Sequence, residues 1–378
     1  MTRLRGRRVT VLAALACVPS LLDAQTSLRA MMAATPDTSV HLAFGGFVDT
    51  YFAYDFDRPP ELDRAFTTQA ARHDEFNINL AFIDATLTGP RLRGRLAVQY
   101  GTSVQVNAAG EPRVGAISGP DVSRFVQEAT LGYQVARSVW IDGGIFLAPF
   151  GNESWISRDN WTYTHSLIGD YSPTYEAGVK ATWRATPALT AQLHVMNGWQ
   201  NISETNSDKA VAARIDYAPA SRVALAYDVF VGNEAPDSAR RQLRVFNEVM
   251  ATTTLTSRLQ LRGTFDYGTQ HRATGSGDAV WRGFAVLAHV QAAPALALTG
   301  RVEQFSDPEQ VVAATDQPSG LRATGTSLTL TVVPTSRLLW RVETRWLWAR
   351  DAVFPERATA SGLSTRDGVV LSSLALTM

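Results

Sequence analysis

From Ser39 onward, apolar and polar residues alternate at every second position in strand-length segments, the period of a β-strand whose two faces meet different surroundings. In the segment RLRGRLAVQYGT, Leu92, Leu96, Val98 and Tyr100 share one face while Arg91, Arg93, Arg95 and Gln99 share the other. Further along, Val223, Leu225, Tyr227 and Val229 stand opposite Arg222 and Asp228. Leu259, Leu261, Phe265 and Tyr267 stand opposite Gln260, Arg262 and Asp266. Near the end, Leu338, Trp340, Val342, Trp346 and Trp348 oppose Arg341, Glu343 and Arg345. About sixteen such segments fit the chain, each near the roughly ten-residue stretch with which a membrane barrel crosses a bilayer.

The connections between segments alternate in length without a break. Tight turns are expected at 88–92, 136–138, 184–189, 218–222, 255–258, 292–296 and 333–337, several of them carrying Pro, which cannot donate to a strand ladder. Long polar connections are expected at 57–73, 107–121, 150–170, 201–207, 233–240, 270–279, 306–321 and 351–366. A soluble sandwich has no reason for this alternation; an outer-membrane barrel does, because its periplasmic turns are short and its extracellular loops long. The fold class is therefore all-β: a transmembrane antiparallel up-and-down barrel.

Alternation alone does not say which face meets lipid. Aromatic residues sorted to strand ends do, since their rings favour the level of the headgroups. The reading places Tyr54, Phe76, Phe125, Tyr175, Trp199, Tyr267, Trp281 and Trp348 outward near the outer rim, and Tyr133, Trp183, Tyr217 and Trp340 near the inner rim. Two residues fall on the wrong side: Asp84 lands on the lipid face unless a bulge resets the register, and His289 raises the same difficulty.

Composition then narrows the compartment and the partners. The 378 residues are 45% hydrophobic, with a mean hydropathy of -0.07, and no mature stretch supplies the roughly 20 apolar residues of a helical span. Arg3, Arg5, Arg7 and Arg8, followed by the apolar run 9–18 and by Leu22-Asp23-Ala24, form a signal peptide with cleavage expected after Ala24. A short periplasmic lead-in over 25–38 follows, and the barrel occupies 39–378. Cys17 lies inside the signal segment; its lipidation is the alternative reading, weakened by the absence of the usual leucine three positions earlier. Lys+Arg 35 against Asp+Glu 35 argues against a nucleic-acid partner.

The segments GGFVDTYFAYDFDRP, EFNINLAFIDATLTGPRLRGRLAVQYGT, VQEATLGY, GNESWISRDNWTYTHSL, SPTYEAGV, NGWQNI and FVGNE together resemble the OmpL-like β-barrel porin family. The likeness is specific between about Phe44 and Glu234, and 152–166 is its most characteristic block. It implies an outer-membrane porin; the family's solutes are poorly defined, so it implies no substrate. The ending in Met378 departs from the terminal aromatic usual in such barrels.

A barrel of this size leaves an aqueous channel. Its expected lining carries both signs: Arg91, Arg93, Arg95, Lys180, Arg214, Arg262, Arg301, Arg341 and Arg345 against Asp49, Glu128, Asp142, Glu176, Asp216, Asp228, Asp266, Glu303 and Glu343. Such charges either shape a field across a diffusion pore or pair across strands and merely stabilise the wall. The third long loop, 150–170, holds Trp155, Trp161 and Tyr163 with Glu153, Arg158 and Asp159. It is expected to fold inward, those three charged residues forming the constriction. The functional expectation is passive diffusion of small hydrophilic solutes and ions through a protein held in outer-membrane lipid. The alternative is a structural or adhesive barrel with an occluded pore and partner-binding loops. No metal or other cofactor is implied, since the six histidines have no metal-ligand spacing, and no motif announces an enzyme. Porins of this size imply a homo-trimer by analogy.

Overall fold

The computed structural model describes residues 39–378; the signal peptide and lead-in expected over 1–24 and 25–38 lie outside the described residues. The first strands are β1 (His41–Asp55), β2 (Phe76–Thr88), β3 (Leu92–Tyr100), β4 (Val126–Ala136) and β5 (Val139–Leu147). Next come β6 (Tyr175–Thr186), β7 (Leu189–Met196), β8 (Ala210–Ala220), β9 (Val223–Asn233) and β10 (Leu243–Thr254). They are followed by β11 (Leu259–His271), β12 (Asp278–Ala293), β13 (Leu296–Asp307), β14 (Leu321–Thr335) and β15 (Leu338–Ala349). A minor pair, β16 (Phe354–Pro355) and β17 (Leu363–Ser364), precedes the last strand, β18 (Arg366–Thr377). Three short helices lie in loops: α1 (Thr102–Ala108), α2 (Pro120–Ser123) and α3 (Leu167–Asp170).

Each strand from β1 to β15 pairs with its neighbour in sequence, and β18 pairs with both β15 and β1, closing a barrel of sixteen antiparallel strands. Closure leaves no sheet edge with unpaired N–H and C=O groups, which a bilayer could not satisfy. All tight turns gather at one rim and all long loops at the other. In five of the hairpins the register shifts beside the tight turn, as between Tyr217 and Ala220 and between Val332 and Thr335.

The burial pattern is the inverse of a soluble protein's. In the middle of β10, Glu248 is 1% exposed and faces inward, while its neighbour Val249 is 53% exposed and faces outward. Leu96, Leu131, Leu193, Phe265 and Val302 are likewise exposed, and Asp228, Arg301, Glu343 and Arg345 are buried. An apolar outer belt around a polar inside fits hydrocarbon as the outer solvent.

The two residues on the wrong side are explained. β2 carries one extra residue, Asn79, where Asp49 pairs with Leu80 and Thr50 with Ile78. This bulge turns Asp84 inward, where it meets Arg95 at 3.0 Å. His289 also faces inward; its Nδ1 lies 2.9 Å from Thr299 Oγ1 and its ring stacks on Trp161. Three aromatics are corrected: Tyr175, Trp199 and Trp281 do not belong to the outer girdle. Trp281 is 1% exposed and packs with Trp199 against Phe230 and Phe246, and Tyr175 packs beside Trp155. Gly268 makes room for Trp281, since a Cβ there would lie 2.0 Å from the indole.

Candidate functional site

The connection between β5 and β6 leaves from the long-loop rim and crosses the inside of the barrel. Phe150 packs on Trp199, Phe230 and Phe246. Gly151 N donates to Glu248 Oε2 at 2.5 Å, and Asn152 Nδ2 to Thr264 Oγ1 at 2.9 Å. The chain then reaches the far wall, where Ser157 Oγ donates to Asp49 at 2.8 Å and Arg341 donates to the carbonyls of Ser157 and Asn160. At the deepest point Arg158 donates to the carbonyls of Ser336 and Arg337, in the tight turn between β14 and β15, and to Thr377 Oγ1 at 3.0 Å.

The return limb lies against β12 to β15. Tyr163 N donates to Glu343 Oε2 at 2.5 Å, and Thr164 Oγ1 donates to the same carboxylate. Arg301 donates to Thr162 Oγ1 at 3.0 Å and to the Thr164 carbonyl at 2.6 Å. Leu167 N, at the start of α3, donates to Glu303 Oε2 at 2.6 Å, and Arg345 meets Glu303 at 3.0 Å. Gly283 lets α3 approach the wall, because a Cβ there would lie 2.5 Å from Ile168 Cγ2. These charges are buried at 0–1% side-chain exposure, so paired geometry and loop main-chain groups must stand in for solvation.

His165 and Asp170 close the limb on itself and on the first long loop. Their Nδ1 and Oδ1 atoms are 3.5 Å apart, and Thr68 Oγ1 donates to the same Asp170 oxygen at 2.6 Å. Burial works against a charged ring at His165, but the hydrogen bond and charge of Asp170, with Glu153 behind it, outweigh burial and raise His165 above its ordinary value. Burial likewise opposes the Asp170 carboxylate, and His165, Arg345 and Thr68 hold it below the usual range. Ser166 donates to Glu153, so His165 and Ser166 form no nucleophile–base pair.

Seventeen of the eighteen expected lining residues point inward, in two groups; Arg91 lies instead exposed at the tight-turn rim, over the ring of Tyr133. Asp49, Glu176, Asp228, Asp266, Arg301, Glu303, Arg341, Glu343 and Arg345 are buried, most of them beneath the inserted segment. Arg93, Arg95, Glu128, Lys180, Arg214, Asp216 and Arg262 are half-exposed. Asp142 is buried against Arg93. On the β3 to β9 side, side-chain exposure reaches 34% at Arg93, 22% at Arg95 and 40% at Asp216, although Asp142, Glu176 and Asp228 there are buried; it is 0% at Arg301, Glu343 and Arg345. Of the three loop charges, Glu153 engages Ser166 and Arg301, Arg158 is tied to the far turn, and Asp159 is exposed.

Two cavities border the crossing segment. One, of about 290 Å³, is lined by Leu147, Phe150, Trp155 and Pro173. The other, of about 220 Å³, is lined by Pro187, Thr190, Asp216 and Thr252, toward the tight-turn rim. Asn152 and Arg214 line both. The long-loop mouth is knit by Glu111, which accepts from Tyr175 Oη at 3.1 Å and from the main-chain N–H of Ser203 at 2.8 Å. Sequence reading missed Glu111, His194 and Glu248. Alternation in β10 could have found Glu248; nothing local marks Glu111, whose partners lie more than sixty positions away.

Over residues 41–374 the chain matches the family described as "Putative beta-barrel porin-2, OmpL-like". The chain belongs to that family. No curated protein matches it in sequence. Among solved structures, this OmpL-like porin is similar to the anion-selective porin from Comamonas acidovorans, with a TM-score of 0.59 at 11% identity over 90% of this chain and 100% of that one. It is similar to the outer membrane channel DcaP of Acinetobacter baumannii, with 0.59 at 12% identity over 91% and 99%. It is also similar to OmpT of Vibrio cholerae in its trimer form, with 0.56 at 10% identity over 90% and 99%. At these identities the likeness is one of fold; the family membership makes this barrel an outer-membrane porin.

Proposed function

We propose that this OmpL-like porin passes small hydrophilic solutes and ions by passive diffusion along the side of the lumen formed by β3 to β9, the segment 150–170 narrowing the path. The observation that carries this reading is the difference between the two walls. The inserted segment consumes the charges of β13 to β15, while Arg93, Arg95, Glu128 and Asp216 keep solvent exposure. A wall with exposed charge needs water, and water along it is a path. Within the constriction, Glu153 and Arg158 act as fasteners of the segment, and Asp159 is the charge left to face permeating ions. The chain reaches the outer membrane through a signal peptide cleaved after Ala24. It assembles as a homo-trimer, a reading supported by the trimer form of OmpT.

One observation favours the occluded alternative. The first long loop is tied to the inserted segment through Thr68 and Gln69, and the second is tied to the fourth through Glu111. A barrel whose mouth stays knit would conduct nothing and offer its loops to a partner. Planar-bilayer recording of the purified chain decides: stepwise conductance supports diffusion, and silent insertion supports occlusion.

A further inference from the structure

We propose that the outer face of β12 to β15, β18 and β1 binds the phosphate groups of an anionic outer-leaflet lipid at the long-loop rim, through Arg282, Arg322, Arg350, Arg366 and Arg58. The inference concerns the outside of the barrel and stands whether or not the lumen conducts.

The strand register sets these arginines in one band. Arg282 on β12 pairs with Ser306 on β13, and Ser306 pairs with Arg322 on β14. Arg350, just past the end of β15, continues the row by donating its N–H to the Arg322 carbonyl at 2.9 Å. Arg366 opens β18 opposite Trp348, and Arg58, beyond the end of β1, donates from Nε to Tyr54 Oη at 3.1 Å. Alternation turns the strand arginines outward, since their neighbours Trp281, Leu321, Ala323 and Asp367 are all buried. Directly paired residues share a face, so Arg282 stands with Tyr267 and Arg366 with Trp348, both of them exposed aromatics. Below Arg282 on the same face come Phe284, Val286 and Val290, also exposed. The band therefore lies at the top of the apolar belt, level with the girdle, where lipid headgroups begin.

The band has no counter-charge of its own. Among the described residues, none of the five arginines has a carboxylate within 4.0 Å. Arg322 and Arg350 stand opposite one another, and like charges so placed are destabilising. Arg322 Nε is moreover buried without a hydrogen-bond partner. A phosphate lying between the two supplies both the charge and the acceptors, in the forked geometry that a guanidinium favours. Along the outward positions of these six strands the one carboxylate is Asp278, which sits nearer the loop and meets His271 at 3.5 Å. The other acids on this side belong to the loops beyond: Glu309 is held by Arg272 at 2.6 Å, Asp351 accepts from Ser319 Oγ, and Asp57 has one buried oxygen. Asp316 and Glu356 are loop residues as well. On the opposite arc the rim cations beside β4 and β8, Arg124 and Lys209, are paired with Asp121 and Glu204.

The test is equilibrium binding of fluorescently labelled diphosphoryl lipid A to the folded full chain in non-ionic detergent. The expected result is saturable binding that weakens as KCl rises and is lost with the phosphate-free form of the same lipid. It should weaken at least about fivefold in Arg282→Gln/Arg322→Gln/Arg350→Gln and stay unchanged in Arg124→Gln/Lys209→Gln. Where the triple variant does not fold, the salt series and the phosphate-free lipid, both run on the wild-type chain, still decide. Equal binding of the phosphate-free lipid, indifference to KCl, or undiminished binding in the triple variant overturns the inference. Displacement by inorganic phosphate at the same concentration as the lipid would mark a free-anion site, and loss of an oligomer in the triple variant with lipid binding unchanged would mark an interface between copies; either result also overturns it.

Discussion

Arg158 Nη1 donates to the main-chain carbonyl of Arg337 at 3.2 Å, joining the tip of a loop that leaves the barrel at one rim to a tight turn at the other. The inserted segment is therefore fastened along the whole height of the lumen rather than draped over its mouth.

Arg158→Ala removes the hydrogen bonds to Ser336, Arg337 and Thr377, a loss of about 1–3 kcal/mol in the anchoring of the tip. The barrel wall is untouched, so thermal unfolding should move little. Single-channel recordings should become noisier, with brief excursions to higher conductance. A trace as quiet as wild type would show that the tip is held by other contacts.

Glu343 accepts from Tyr163 N, Thr164 Oγ1 and Thr329 Oγ1, and Arg301 lies 4.0 Å away, all in a fully buried setting. Glu343→Ala strands these donors and unbalances Arg301. The expected cost is about 3–5 kcal/mol, read as a lower midpoint in denaturant titration of the barrel in detergent. Glu343→Gln, which keeps the acceptor oxygen, should cost less.

The paired His165 and Asp170 make the packing of the segment depend on pH. His165 is raised above the ordinary 6.5, so its contribution is complete below that value and is lost as pH rises through the raised value. Asp170 is lowered, so its contribution is present above the ordinary carboxylate value and is lost only as acid protonates it in the fold. Protease cleavage within 150–170 should accordingly be slowest at mildly acidic pH and accelerate on the alkaline side of about 6.5. His165→Gln should flatten the alkaline limb.

The outward face can be tested with one residue. Val249 is 53% exposed, and Val249→Arg would be nearly neutral on a soluble protein. In hydrocarbon near the midplane an arginine costs about 2–4 kcal/mol, so folding into lipid vesicles should weaken by that amount.

The barrel was legible because its rules are local. Alternation separates Leu96 from Arg95, and the tight turns announce themselves with Pro and polar clusters, so strands and turns fall near where the sequence places them. Asp84 looked misplaced only because an added residue at Asn79 leaves no local mark. Trp199 and Trp281 misled for a related reason. Aromatics at strand ends suit headgroups, but these two face a lumen made apolar by Phe150, which arrives from a distant loop. The partners of Glu111, Thr68 and Arg158 are set by closure of the whole barrel, and no window of sequence contains them.

The central claim is that 150–170 narrows a water-filled path. Single-channel conductance of the intact chain and of a variant with 156–164 replaced by a short Gly-Ser link measures it directly. The account predicts a small conductance in the intact chain and one several-fold larger, with weaker ion selectivity, in the variant. Equal conductance and equal selectivity in the two would contradict it.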